Sequence, residues 1–454
     1  MVGLARVPSA KPVQYVKICS LYGVGFYYIP GTDTCIKVGG FVRSEFQGNT
    51  PGGSFPQYNA VNFSNRTNND THWRTRGAIT VDARSQTQYG TLRAYTIVAP
   101  TVTDSSVGTG VPDFHHRAFI QLAGFTTGLT QSFFDFDVIA WYSNQTNRLG
   151  SSTGGTGIPL LAYTAQLGNG LSATISAESH QGRRAAVWNS GTAHATNSQG
   201  GWSTPDLVGN IRLSQSWGSA QVMGAIHEVR GSYYTPAVAS SGAPSDKWGH
   251  AFGAGIRINL PQIGKGDFLA AQYTYGNGAV GYPWIGVAGT AGGNPIGAFN
   301  IQDGSGGAGD PVTVAFGPAY DAVYSAAPGS SLQMTKAWSV TGGFQHNWNP
   351  QWKTSIYGAY GAFDYNATAS ALILAGGAAP TIAPAAAPVA PTTGDADWSY
   401  YQIGSRTVWT PVQNLDLSVE AMYNKVNTAF DGSTNYEDKS WWSWIVRAQR
   451  NFYP

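Results

Sequence analysis

Only 11% of the 454 residues are Asp, Glu, Lys or Arg, against about 25% in an average soluble protein, so the chain cannot carry an ordinary charged surface. A net charge of +2 gives no bulk attraction to nucleic acid or anionic lipid, and two cysteines are too few for a disulfide scaffold. Abundant glycine (58 residues), 13% aromatics and an unremarkable mean hydropathy of −0.18 suit a protein that is apolar outside and polar inside.

The amino terminus, "MVGLARVPSAKPVQYV", lacks the apolar core of a signal peptide. Residues 1–34 read as a segment preceding the first strand, with an Ile-Pro-Gly-Thr-Asp turn signal between Cys19 and Cys35. "CIKVGGFVRSEF" follows, with Lys37 and Arg43 on one face. "RTRGAITVDARSQTQYGTLRAYT" at 74–96 alternates strictly. Arg74, Arg76, Ala78, Thr80, Asp82, Arg84 and Gln86 share one face, Ile79, Val81 and Ala83 the other, and Arg93 continues the charged side. The same period of two runs through "WGHAFGAGIRINL", "YYQIGSRTVW" and "LDLSVEAMYNK". No apolar stretch approaches the roughly 18 residues of a transmembrane helix. "ALILAGGAAPTIAPAAAPVAP" at 371–391 is broken by prolines and reads as an extended loop.

Short connections at 85–90, 124–128, 167–170, 216–219, 260–267, 346–352 and 410–414 alternate with long Gly, Ser, Asn and Pro-rich segments. The long ones lie near 47–71, 100–115, 138–159, 180–206, 231–247, 277–334, 363–397 and 426–440. That alternation predicts an all-β fold, an antiparallel transmembrane barrel of about sixteen strands with short turns at one end and long loops at the other. A tandem sandwich or propeller also alternates, but it puts Lys and Glu outside, and lysine is scarce here. Charges facing lipid cost about 2–4 kcal/mol each at the midplane, so Lys37, Arg43, Arg74, Arg76, Asp82, Arg84 and Arg93 are expected to line the lumen. The competing reading makes these arginines solvated structure paired with Asp82 or Glu45.

Trp248, Trp398, Trp409 and "WWSW" at 441–444 stand at strand ends, where aromatic girdles anchor barrels. No nucleophile elbow, H-E-x-x-H or phosphate loop is present, and His115 and His116 are adjacent, hence on opposite faces of a strand. No catalytic residue, cofactor or metal site is therefore expected.

"VKICSLYGVGFYYIPGTDTCIKVGGFVRSEF" (16–46), "RTRGAITVDARSQTQYGTLRAY", "RAFIQLAGFTTGLTQSFFDF" (117–136) and "WIVRAQRNF" (444–452) resemble the alphaproteobacterial general porins of Rhizobium and Brucella relatives. The resemblance implies a trimeric, water-filled channel in the bacterial outer membrane, in contact with bilayer lipid and lipopolysaccharide, with its signal peptide cleaved. It places 1–34 in the periplasm and 35–454 in one barrel, with a third outer loop at about 138–159 folded inward as the constriction. Asp135 and Asp137 then stand at the entry of that loop, facing the arginine wall across a transverse field. In the oxidising periplasm Cys19 and Cys35 form a disulfide, the rival being two free buried thiols. The function implied is passive general diffusion of ions and small hydrophilic solutes. A solute-specific channel, an adhesin built on the long loops and a soluble extracellular β-protein remain as alternatives.

Overall fold

The computed structural model describes residues 17–50, 70–104, 113–136, 138–145, 149–153, 157–192, 196–284, 298–303, 313–376, 392–434 and 436–452. The side chains of 113–116, 298–303 and 313–314 are outside that description.

The alternating segments become sixteen antiparallel strands closed on themselves. The first quarter holds β1 (Cys35–Asn49), β2 (Thr71–Thr87), β3 (Gly90–Thr103), β4 (Asp113–Leu122) and β5 (Phe125–Thr130). Then come β6 (Ile158–Gly168), β7 (Leu171–Glu178), β8 (Asp206–Gln215), β9 (Gly218–Val229), β10 (Lys247–Asn259) and β11 (Phe268–Asn277). The circle ends with β12 (Lys336–Asn349), β13 (Trp352–Asp364), β14 (Trp398–Val412), β15 (Leu415–Asn427) and β16 (Lys439–Asn451). Closure comes from β1 pairing β16, Phe41 opposite Asn451 through Asn49 opposite Ser443. Every long strand thus has two neighbours, which a lipid-exposed sheet requires because an open edge would leave backbone polar groups unpaired in hydrocarbon. A two-residue strand, Tyr27–Tyr28, adds to the start of β1.

Burial is inverted relative to a soluble protein. Trp73 (56%), Ile79 (59%) and Ile175 (65%) are exposed on the outward face, while Glu45 (1%), Arg74 (6%) and Glu420 (4%) are buried inside. That ordering follows when the solvent outside is lipid and the interior is polar. No helix among the described residues is long and apolar enough to cross a membrane.

One end of the barrel carries tight turns and the other long loops. At the turn end Leu122 pairs Phe125 across Ala123 and Gly124, with φ of 51° and 87°, and Gly168 pairs Leu171 across Asn169 and Gly170, with φ of 49° and 75°. Positive φ at both central residues is the type I′ geometry whose twist matches paired strands, which explains Asn-Gly at 169–170. At the loop end the link between β11 and β12 packs against the link between β7 and β8. Its strand Tyr320–Tyr324 runs parallel to Ala186–Asn189 and antiparallel to Gln333–Met334. Trp188, Trp284, Phe316, Tyr320, Phe363, Trp398 and Phe430 form an aromatic core there.

Two sequence readings are corrected. Residues 371–375 continue a helix, Ala367–Ala375, rather than an extended loop, because Asn366 caps it through a 2.9 Å bond from the Ala369 N–H and the Ala-Leu run favours helix before the prolines begin. Trp398 and Trp441 do not join an outward girdle: each shares the parity of an inward arginine, Arg406 or Arg447, and is buried in the aromatic core, whereas Trp248, Trp409 and Trp442 are exposed.

The disulfide is present, Cys19 to Cys35 with Cα atoms 6.0 Å apart, and Phe26 packs beside it.

Candidate functional site

Register decides which inward charges meet. On β1, Glu45 stands opposite Arg74 of β2 on one side and Arg447 of β16 on the other, so one buried carboxylate bridges both guanidinium groups. One level away Arg43 stands opposite Arg76, and each finds a neutral acceptor. Arg43 Nε donates to Gln449 Oε1 at 2.7 Å and Arg76 Nε to Thr101 Oγ1 at 2.7 Å. On the next wall Arg406 of β14 lies opposite Glu420 of β15.

The segment between β5 and β6, 131–157, is the third connection at the loop end, and it bends into the barrel. It starts earlier than the sequence reading placed it because β5 ends at Thr130. Its tip is clamped by the charged wall. Glu420 accepts from Ser143 Oγ at 2.6 Å, from the Asn144 N–H at 2.5 Å and from the Tyr357 hydroxyl. Arg447 donates to Asn144 Oδ1 at 2.7 Å and to its carbonyl at 2.8 Å, and Arg406 donates to the Trp141 carbonyl at 2.9 Å. Tyr142 stacks on Phe268 at 5.1 Å, and the Arg257 guanidinium lies 4.9 Å from the Trp141 ring centre. Backbone groups that would be orphaned inside a barrel are thereby satisfied.

The root of the segment has its own anchor. Asp135 is buried and ion-paired with Arg183, and it accepts from Ser151 Oγ at 2.8 Å, the Thr153 N–H at 2.6 Å and Thr153 Oγ1 at 2.7 Å. Its partner is thus an arginine from the link between β7 and β8, not Arg74 or Arg76. Burial disfavours the charge on Arg183, but Asp135 beside it, together with Tyr282 and Glu178, more than offsets that, and the guanidinium is held above the ordinary arginine range. Glu178 accepts from Ser132 Oγ at 2.5 Å and from the Phe133 N–H at 2.9 Å. Asp137 lies outside the described residues.

Lys37, Asp82, Arg84 and Arg93 are inward too, but at the turn end. Asp82 bridges Arg84 at 2.7 Å and Arg93 at 2.9 Å. Arg84 lies 4.9 Å from the Phe26 ring centre, and Lys37 donates to the Val24 carbonyl at 3.1 Å. The seven wall residues expected from sequence therefore form two groups, one at the loop tip and one against the disulfide-closed segment.

Between the inward segment and strands β4–β9 remains a cavity of about 500 Å³. Arg117, Gln121, Asn210, Arg212 and Gln221 line the strand side, and Asp135, Phe136 and Trp141 the segment side. Sequence reasoning singles out none of Arg117, Arg183, Arg212 or Glu178. The inward phase of β8 could have found Arg212, but Arg183 sits in a loop without periodicity.

A family model described as "Porin subfamily" matches residues 6–451. Porin Omp2b of Brucella suis biovar 1 is 29% identical over 221 residues, 47% of this chain and 56% of its own length. The Omp2b of Brucella neotomae is 30% identical over 221 residues, with the same coverage of each. The chain thus spans little over half the length of the curated relatives it matches. Among solved structures, the outer membrane channel DcaP of Acinetobacter baumannii superposes with a TM-score of 0.64 at 16% identity, covering 94% of this chain and 99% of that one. Salmonella typhi OmpF, in complex with daunomycin, gives 0.50 at 12% identity, covering 93% and 99%. At those identities the structural likeness speaks for the fold.

Proposed function

We propose that this chain, which belongs to the porin subfamily and is an integral β-barrel of the bacterial outer membrane, works as a general-diffusion channel for ions and small hydrophilic solutes. One observation carries the reading: a closed barrel with a polar interior holds a folded-in loop and still keeps a cavity of about 500 Å³ beside it. The loop, 131–157, is the constriction, and the passage runs along its Arg117 and Arg212 side. Asp135 belongs to that passage as the neutralised partner of Arg183. Arg43, Arg74 and Arg76 act with Glu45, Arg406 and Arg447 as the wall that fixes the loop tip, and so set the width of the passage. Lys37, Asp82, Arg84 and Arg93 line its periplasmic exit beside the segment closed by Cys19 and Cys35. The apolar outward band faces lipid and, at its outer rim, lipopolysaccharide; three copies assemble as the resemblance implies.

The test is single-channel recording of the purified protein in a planar bilayer under a salt gradient. Open steps grouped in threes, with a reversal potential that Arg212→Ala moves toward cation preference, are the expected result. No conductance from protein proven folded and inserted would overturn the channel. Open steps with an unmoved reversal potential would remove Arg212 from the passage.

A further inference from the structure

Arg212 of β8 and Arg257 of β10 differ from the ion-paired arginines of the interior. Glu45 serves Arg74 and Arg447, Asp82 serves Arg84 and Arg93, and Asp135 serves Arg183. No carboxylate among the described residues pairs with Arg212 or Arg257, and aromatic rings hold them instead. The Arg212 guanidinium lies 5.4 Å from the Phe136 ring centre, and that of Arg257 lies 4.0 Å from the Phe268 centre and 4.9 Å from that of Trp141. Phe136 and Trp141, both on the inward segment, meet edge to face at 5.5 Å and so stand between the two arginines. Phe136 packs on Gly255 of β10, where any side chain would collide with the ring, and this seats the segment against the wall.

The nearby acids are committed elsewhere. Asp135 is the one acid among the described residues that line the cavity, and it is ion-paired with the buried Arg183. Glu178 accepts from Ser132 Oγ and the Phe133 N–H, and Asp267, in the turn before β11, accepts from His346 and the Asn347 N–H. Arg117 of β4 lines the same cavity as Arg212. Arg212 spends only Nη1 on a protein acceptor, Gln221 Oε1 at 3.2 Å, and its Nε and Nη2 have none among the described residues. Arg257 Nε is buried without a partner, and neither of its Nη groups meets an acceptor among the described residues. Register sets the spacing of the two. Arg212 stands opposite Gln221 of β9 and Arg257 opposite Ser219, so they are two strands apart and offset by two residues, Arg257 nearer the turn end. That places their Cα atoms about 12 Å apart.

We propose that Arg212 and Arg257 are two successive binding stations for small oxyanions, carboxylates and phosphates, which pass along this wall beside the Phe136–Trp141 pair. The inference rests on the channel reading above. A guanidinium held through its face by a ring keeps its N–H edge, and that edge matches two oxygens of a carboxylate or phosphate. A protein carboxylate at either position would occupy the fork, whereas aromatic support leaves the arginine oriented and available. A monatomic anion or a neutral solute gains nothing from two parallel N–H groups, so the fork favours oxyanions over both. Conduction needs sites that are favourable to enter and weak enough to leave, and two stations in succession let an arriving anion displace the one ahead.

Full-length protein is recorded in a planar bilayer in potassium chloride, and potassium phosphate or potassium acetate is added at constant ionic strength, with bromide as a monatomic comparison and glucose as a neutral one. The expected result is a chloride current that falls saturably with phosphate or acetate and not with bromide or glucose. Whichever of the two halves the current at lower concentration is the preferred oxyanion. Arg212→Lys and Arg257→Lys each keep the charge and lose the fork, so each should raise the half-blocking concentration on the order of 10-fold. The reversal potential under a potassium chloride gradient should stay at its wild-type value in both. Arg450→Lys, exposed near the turn end of β16, shifts neither quantity. A conducting wild-type channel in which neither oxyanion blocks more than bromide overturns the proposal, as do folded, heat-modifiable Lys variants that are blocked at wild-type concentrations. No conductance at all would overturn the channel reading, and this inference with it.

Discussion

Replacing Glu420 by alanine removes the acceptor that holds the tip of the inward loop. Four donors lose this acceptor at once: Ser143 Oγ, the Asn144 N–H, the Tyr357 hydroxyl and, at 3.4 Å, the Gln145 N–H. Hydrogen bonds to a charged group contribute about 1.5–3 kcal/mol each and are not additive when they share one carboxylate, so roughly 3–5 kcal/mol of docking free energy is expected to go. That is on the order of 10²- to 10⁴-fold in the ratio of docked to undocked tip. The aromatic contacts of Tyr142 and Trp141 and the Asp135–Arg183 anchor remain, so the tip loosens while the root stays. In a planar bilayer the variant should give larger unit conductance with more open-state noise than wild type, and protease should cut near 143–145 while the barrel keeps its heat-modifiable mobility. Unit conductance and noise identical to wild type, in protein shown to be inserted, would refute the assignment of Glu420 as the clamp.

Two further perturbations read other parts of the molecule. Cys19→Ser/Cys35→Ser releases a closure over a sequence separation of 16, worth about 3 kcal/mol in the chain-entropy view. The segment before β1 should then become protease-sensitive while the barrel still folds, since its ladder is independent; an unchanged cleavage pattern would argue that the contacts of Phe26 with Arg84 and Lys37 suffice. At the turn between β10 and β11, burial alone would raise the Asp267 carboxyl, but the Asn347 N–H at 2.7 Å and His346 Nδ1 at 2.6 Å outweigh it and hold the group below the usual carboxylate range. A depressed folded-state value means stability that is present above the ordinary carboxylate pKa and lost as pH falls through the lower folded value. The protection factor of the Asn347 amide, its exchange relative to an unstructured chain at the same pH, should therefore fall on acidification below about pH 4, and Asp267→Asn should flatten that response; an equally steep response in the variant would show that another group controls it.

Much of the architecture is written locally. Period-two alternation in β2, β10, β14 and β15 specifies which side chains face lipid, since a charge on the outward phase carries a direct solvation cost. The spacing of turns and loops specifies sixteen strands, and Asn169-Gly170 specifies its own hairpin through φ alone. Parity even contains the answer for Trp398 and Trp441, which share a face with Arg406 and Arg447. What sequence could not supply is the identity of partners across the ring. Glu45 joins Arg74 and Arg447 only because closure sets β1 against β16 in one register, and that register depends on the shear of the whole barrel. Asp135 meets Arg183, and His180 meets Asp206 and His227, for a related reason: Asp135, Arg183 and His180 lie in connections without periodicity of their own, placed by the walls and loops that enclose them. Alternation is a property of each strand against its solvent, whereas pairing between distant segments exists only once the circle is closed.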